Sequence, residues 1–244
     1  MTARTIRVLD LFAGAGGLTA GFHTASSRFR SIAAVEMDPE AAASYRATFP
    51  KTDVYAGAIQ DWLAEGTIPA GVDVVVGGPP CQGFSTLGKR DAEDARNRLW
   101  EQYAQVIQRA RPKYFVVENV PAFGKSPQYR DFLAATRPGE FLEDYSFDFR
   151  VLNAADYGAP QARRRAVLIG HREDMTAPEF PEPTHSPDEG SGLPPYRTVR
   201  ETLLRVPAQP DMDERFDQLR TRVGSRRVPG AFSPRELHVS RGYS

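Results

Sequence analysis

Three groups of residues have the types and spacing to carry chemistry, and the first centres on Cys81, the only thiol in the chain. It sits in Gly77-Gly78-Pro79-Pro80-Cys81-Gln82-Gly83-Phe84-Ser85, after the apolar run Val72-Asp73-Val74-Val75-Val76. The run reads as a buried strand. The glycines and prolines force a tight, rigid turn, since Gly allows positive φ and Pro fixes φ. Open α/β sheets place their chemistry at such a strand end. Polar, glycine-rich flanks argue against a thiol that merely packs as a small hydrophobe. The second group is Glu118, which closes the run Lys113-Tyr114-Phe115-Val116-Val117 just before Asn119-Val120-Pro121. The third is the glycine turn Phe12-Ala13-Gly14-Ala15-Gly16-Gly17 together with Glu36. A strand, a glycine turn and a helix N-terminus aim free backbone N–H groups at a ligand. An acidic residue closing the next strand can accept from both hydroxyls of a ribose. The dinucleotide spacing is not met, because its third glycine falls on Thr19. By spacing alone, a cofactor site and an ordinary tight turn both remain open. A nucleophilic thiol, a carboxyl group and a nucleoside site together point to covalent group transfer. A free thiol titrates near ~8.5, so the site has to favour the thiolate; Arg163, Arg165 or a helix N-terminus after the turn can do so.

The elements that position these residues follow from periodicity. Ile6–Leu11, Ser31–Val35, Asp53–Tyr55, Val72–Val76, Lys113–Val117, Tyr145–Leu152 and Arg165–Gly170 read as strands. Helical spacing predicts helices from Leu18 towards Ala25, from Pro39 to Phe49, around 59–63, over 97–110 and around 129–136. Strands alternating with helices from 6 to 170 predict a doubly wound, mostly parallel α/β sheet. Residues 86–98 are polar and aperiodic and read as a mobile loop. From Pro178 onward prolines and glycines give a linker texture. The segment 219–235 holds Arg220, Arg222, Arg226, Arg227 and Arg235 with no acidic residue between them, and by composition it reads as a solvated tail.

The 244 residues carry 31 basic and 31 acidic side chains, so any surface for a polyanion must be local. One cysteine excludes an intrachain disulfide and the usual cysteine-rich zinc sites, and no metal is expected. No run approaches the ~20 apolar residues of a membrane span, and the N-terminus has no signal-peptide core. The expectation is a cytoplasmic protein with no membrane association.

With these residues in view, the chain resembles the DNA (cytosine-5) methyltransferases, which use S-adenosylmethionine. Asp10-Leu11-Phe12-Ala13-Gly14-Ala15-Gly16-Gly17-Leu18 and Glu36-Met37-Asp38 look like the two cofactor motifs of that family. Gly78-Pro79-Pro80-Cys81-Gln82-Gly83-Phe84-Ser85, Glu118-Asn119-Val120 and Gln161-Ala162-Arg163-Arg164-Arg165 complete five motifs in order, from about 5 to 170. The resemblance implies a Rossmann-like methyltransferase fold. It implies that Cys81 adds to C6 of a cytosine flipped out of double-stranded DNA, with C5 receiving the methyl group. Glu118, protonated or sharing a proton, would bind the base at N3 and N4. Arg163 would hold O2, and Arg165 would support the cysteine turn. Phe12, Gly14, Gly16 and Gly17 would line the methionine end of S-adenosylmethionine and Glu36 would take its ribose. Met37 would lie on the adenine, with Ile59, Pro80 and Leu99 closing the pocket. The loop 86–98 would close over the base.

Two departures from the family pattern stand out. Ala58 occupies the place of an aspartate that contacts the adenine amino group, a loss of roughly 0.5–1.5 kcal/mol for a neutral hydrogen bond. The chain also stops at Ser244, where the target-recognition region and two last motifs would follow. The expected organisation is therefore a catalytic domain over 1–177, and over 178–244 a linker with the start of a truncated recognition region. The expected function is a DNA cytosine-5 methyltransferase of a restriction–modification or related system. The alternatives are a catalytic subunit or truncated fragment, inactive alone, that needs a second polypeptide for DNA recognition, or a tRNA cytosine-5 methyltransferase. An NAD-dependent oxidoreductase is disfavoured by the missing third glycine. Amino-methylating enzymes place an aromatic residue where Cys81 stands.

Overall fold

Residues 4–66, 68–80 and 99–205 are described by a computed structural model. Cys81, the loop expected over 86–98 and the arginine-bearing segment 219–235 lie outside the described residues. The chain divides into two units between Arg197 and Thr198.

The first unit is built on a seven-stranded sheet: β1 (Ile6–Leu11), β2 (Phe29–Glu36), β3 (Asp53–Ala56), β4 (Val74–Gly77), β5 (Tyr114–Asn119), β6 (Tyr145–Asn153) and β7 (Arg164–Arg172). Their spatial order is β3-β2-β1-β4-β5-β7-β6. The first five run parallel, and β7 lies antiparallel between β5 and β6. The chain leaves β1 towards β2 and β3, then returns to add β4 on the other side of β1. That reversal opens a crevice at the carboxyl ends of β1 and β4, the switch point of a doubly wound sheet. The expected mostly parallel sheet is the observed one.

Central parallel strands are buried on both faces, which is why Val74, Val75 and Val76 form an unbroken apolar run. Odd-numbered residues of the central strands (Leu9, Leu11, Val75, Phe115, Val117) face one core, covered by α3 (Ile59–Glu65), α4 (Leu99–Ala110) and α5 (Pro127–Ala135). In α4 the buried residues Tyr103, Ala104, Val106 and Ile107 recur at three- and four-residue steps, so one stripe faces the sheet. Complete burial of each large apolar side chain is worth about 1.5–3 kcal/mol. On the other face, α1 (Gly17–Ala25) lays Leu18 and Phe22 over Val8, Val74 and Val76. There α2 (Pro39–Thr48) packs Ala42 and Tyr45 against Ala34 and Val54. Pro39 opens α2, and the Asp38 side chain accepts from the Ala41 N–H at 2.7 Å, a proper N-cap. Beside α1 this second face opens into a cavity of about 550 Å³, lined by Ile6, Phe22, Phe29, Val74, Val116 and Ile169 among others. It lies at the amino ends of β1, β4 and β5, away from the switch point.

Some boundaries differ from the periodicity reading. The fourth strand starts at Val74 instead of Val72 and takes in Gly77, which the composition assigns to the turn. Gly77 pairs in register with Leu11 and Val117. A Cβ there would stand 2.5 Å from the Leu11 carbonyl oxygen and 3.0 Å from the Tyr103 ring. The strand can continue only because the residue has no side chain. The second strand begins at Phe29 instead of Ser31, where the Phe29 ring meets Phe22 edge-on at 5.0 Å. Of the second unit, α6 (Val199–Arg205) is described. Thr198 caps it, with Thr198 Oγ1 accepting from the Glu201 N–H and the Glu201 carboxylate accepting in return from the Thr198 N–H. No described helix is long and apolar enough to cross a membrane.

Candidate active site

The switch point gathers the ends of β1, β2, β4 and β5. Leu11, Gly77 and Val117 lie in register across three strands, so the segments after them emerge side by side. After β1 the backbone turns through three left-handed residues: Phe12 (φ 55°), Gly14 (φ 54°) and Gly16 (φ 93°). For a bulky residue such as Phe12 this is a strained conformation costing of order 1–3 kcal/mol, of the kind that concentrates at functional sites. No described residue lies within 4 Å of the position a Cβ on Gly14 would take, so the described part of the loop is open on that side. Gly16 is the reverse case: a Cβ there would collide with Phe49 at 2.5 Å.

Glu36 closes the loop from β2. Its Oε2 accepts from the Gly14 N–H at 2.7 Å and its Oε1 from the Asp38 N–H at 2.8 Å. Both carboxylate oxygens are thereby oriented, each with a lone pair left for a ligand hydroxyl. Met37 follows with 72% of its surface exposed, an apolar side chain presented to whatever enters the loop. Beneath the loop, Asp10 is completely buried. Its Oδ2 accepts from Thr19 Oγ1 at 2.8 Å, and its Oδ1 has no partner. Burial pushes the Asp10 carboxyl up to about 7, with the Thr19 bond opposing and the nearby Glu36 charge adding to the rise.

The turn after β4 is held from β5. Asn119 Nδ2 donates to the Pro79 carbonyl at 2.9 Å, while Asn119 Oδ1 accepts from the Val120 N–H at 2.8 Å. This clamp fixes the backbone two residues ahead of Cys81. Gly78 lets Glu118 come close: a Cβ there would sit 3.2 Å from both the Glu118 backbone oxygen and Oε2. Glu118 Oε1 meets Arg165 Nε at 2.8 Å, both side chains being about one-third exposed or less. Sheet register accounts for the pair. Glu118 faces Val167 across the antiparallel ladder, and Arg165, two residues along, lies diagonally on the same face.

The structure therefore brings together Glu118, Arg165, Pro80 and the Cys turn's leading residues on one side, and Phe12, Gly14, Gly16, Gly17 and Glu36 on the other. Arg163 is exposed just before β7, and among the described residues no side-chain bond holds it. Ile59 is 3% exposed and belongs to the core with Trp62 and Val35. Leu99 packs partly buried against the same core. Asn119 and Asp10 carry roles that the sequence reading does not assign. Asn119 has a legible signal, an amide directly after the strand-end carboxylate. Asp10 has none, because an acidic residue within an apolar strand reveals its surroundings only once the helices pack. Among the described residues no cluster of three or more His, Cys, Asp or Glu is arranged to hold a metal ion.

Comparison with known proteins adds to this geometry. The profile of a family described as C-5 cytosine-specific DNA methylase matches residues 6–226. The Type II methyltransferase M.XorII of Xanthomonas oryzae pv. oryzae is 42% identical over 194 residues, covering 76% of this chain and 45% of that protein. The Type II methyltransferase M.AquIA of a Picosynechococcus strain is 36% identical over 223 residues, covering 82% of this chain and 89% of that protein. The crystal structure of a Spodoptera frugiperda DNMT2 mutant superposes with a TM-score of 0.57 at 23% identity, over 72% of this chain and 52% of the other, and shares the fold. The chain spans about half the length of several curated relatives that it matches, M.AquIA being matched over most of its length.

Proposed function

This chain belongs to the C-5 cytosine-specific DNA methylase family, and from that premise we propose that it is the catalytic part of a Type II DNA cytosine-5 methyltransferase. The observation that carries the reading is the Glu118–Arg165 pair, laid against Gly78 beside the turn that leads into Cys81.

S-adenosylmethionine fits the loop after β1. The open space at Gly14, the oriented Glu36 carboxylate and the exposed Met37 suit a nucleoside. When bound, this group supplies an electrophilic methyl on a sulfonium centre. Glu36 would accept from the ribose hydroxyls, Met37 would cover the adenine, and the strained turn at Phe12–Gly16 would shape the methionine end. Pro80, Leu99 and Ile59 bound the pocket, the last from within the core.

On the substrate side, cytosine C5 is a poor nucleophile until something adds at C6. The Cys81 thiolate forms a bond to C6 and the electron pair moves towards N3 and C5. Glu118, protonated or sharing a proton with the base, binds it at N3 and N4 and delivers that proton towards N3, offsetting the negative charge that develops there. Arg165 fixes the Glu118 carboxylate, and Arg163, unpaired within the described chain, holds O2. After methylation the C5 proton passes to a solvent-derived base and Cys81 departs, restoring the ring. Because C6 is inaccessible in a stacked duplex, the cytosine is flipped out at a cost of a few kcal/mol.

The surface that recognises double-stranded DNA lies outside this catalytic part, on a further segment or on a second polypeptide; several relatives are considerably longer than this chain, and M.AquIA is matched over 89% of its own length.

The covalent step is tested by trapping. DNA with 5-fluorocytosine at the target position cannot lose its C5 substituent as a proton. With S-adenosylmethionine and the part that recognises DNA present, it should leave a denaturation-resistant adduct on Cys81, located by peptide mapping. Methyl transfer without any adduct would overturn the mechanism.

A further inference from the structure

Asp10 is the one buried charge-bearing group beneath the glycine loop that the mechanism above does not use. It lies near the end of β1 on the same sheet face as Ala34 and Glu36, completely buried, in register with Ala34 on β2 and Val76 on β4. A chain of hydroxyls ends on it: Thr19 bonds Asp10 Oδ2, Tyr45 bonds Thr19, and Ser31 bonds Tyr45, each at 2.8 Å. Thr19 has one proton and donates it to the carboxylate. Tyr45 must then donate to Thr19, and Ser31 to Tyr45, so the chain is polarised towards Asp10 from α1, α2 and β2 together.

Among the described residues no Lys or Arg pairs with Asp10, and Oδ1 has no partner at all. The titratable groups around it do not compensate. Glu36 on β2 has the same sign, and Tyr45 on α2 and Tyr103 on α4 are phenols held neutral by burial. His23 on α1 accepts the Ser31 N–H on its Nε2, and burial and Arg30 hold its pKa down, so the ring is neutral there. The loop thus rests on an uncompensated carboxylate in a dry setting, where a charge acts over a longer range than in water.

We infer that Asp10 sets the charge preference of the loop: it favours the sulfonium form of the cofactor over the neutral thioether left after methyl transfer, and so biases the site towards fresh donor and against spent product. The inference rests on the reading of this loop as the S-adenosylmethionine site. Donor and product share adenosine, the amino group and the carboxylate, and they differ in one methyl and one positive charge at sulfur. Glu36 and Met37 would contact the shared parts. A partnerless buried carboxylate can tell the two apart.

The sign of the pH dependence follows. Asp10 sits at about 7 in the folded chain, above its ordinary 3.8, so it charges as pH rises through neutrality. Binding a cation favours the charged form, and by linkage the sulfonium compound binds more tightly as pH rises towards and just past 7. The neutral thioether gains nothing at sulfur. The amino group they share titrates alike in both and cancels in the ratio of their affinities.

The test is calorimetric titration of the chain with S-adenosylmethionine and with S-adenosylhomocysteine at pH 6 and pH 8. The expected result is a several-fold larger preference for the sulfonium compound at pH 8. In Asp10→Asn, which keeps an acceptor for Thr19, the preference should fall and lose its pH dependence. A preference that is flat across pH in the unmutated protein overturns the inference even if Asp10→Asn fails to fold, as does an unchanged pH-dependent preference in the variant. Failure of both compounds to bind would overturn the cofactor reading itself, an outcome distinct from tight but indiscriminate binding.

Discussion

Cys81→Ser is expected to lower methyl transfer by roughly 10³-fold or more while leaving S-adenosylmethionine affinity within about twofold. A serine hydroxyl at neutral pH is a far weaker nucleophile than a thiolate, and nothing among the described residues stands as a general base to activate it. The asymmetry between turnover and binding comes from the architecture. The cofactor loop hangs from β1 and β2, through Gly14 and Glu36, whereas the cysteine turn hangs from β4 and is clamped by Asn119 of β5. Changing one sulfur to oxygen leaves that clamp intact. Single-turnover methylation and equilibrium binding, measured on the same preparation, check both halves. Substantial turnover by the serine variant would refute covalent catalysis. A large loss of cofactor affinity would mean that the turn and the loop are one site rather than two.

Glu118→Ala should be the next most damaging change, with a loss of about 10²–10³ in turnover, as for removal of one group stabilising charge in a transition state. The structure adds a consequence beyond the lost carboxylate. Arg165 Nε is held by Glu118 Oε1, so truncation frees a guanidinium beside the turn. If Arg165 acts through Glu118, Arg165→Ala should lower turnover less than Glu118→Ala, and the double variant should be little worse than Glu118→Ala alone. Additive losses would show two independent roles. Both side chains are partly exposed, so the ion pair itself contributes little to stability and unfolding midpoints should stay close to that of the unmutated chain.

Much of the sheet was legible because its strands announce themselves. Val74-Val75-Val76 is apolar throughout since a central parallel strand is buried on both faces, and the glycine turns mark where strands stop. Gly77 was misread for a physical reason. Glycine usually signals a turn, but here it keeps β4 going where the Leu11 carbonyl and the Tyr103 ring leave no room for a side chain. The direction of β7 was equally hidden, since period-two alternation looks the same whichever way a strand runs. Its antiparallel setting is what places Arg165 diagonally across from Glu118.

The sequence by itself determined which chemistry was available: a single thiol after a Gly-Gly-Pro-Pro turn, a carboxylate closing a strand, and a glycine loop followed by Glu36. These are properties of residue type and short-range spacing, and the backbone constraints of Gly and Pro express them locally. Tertiary structure alone decided which groups meet. The Glu118–Arg165 pair joins residues 47 positions apart through strand register, and Asn119 reaches back to Pro79 across the β4–β5 ladder. Asp10 is the clearest case. In the sequence it is one acidic residue in an apolar strand; in the fold it becomes a buried carboxylate fed by a chain of three hydroxyls and, among the described residues, matched by no cation. Only the packing of two helices against the sheet sets that dielectric and that polarity, because charge is a property of a residue whereas its cost depends on everything around it.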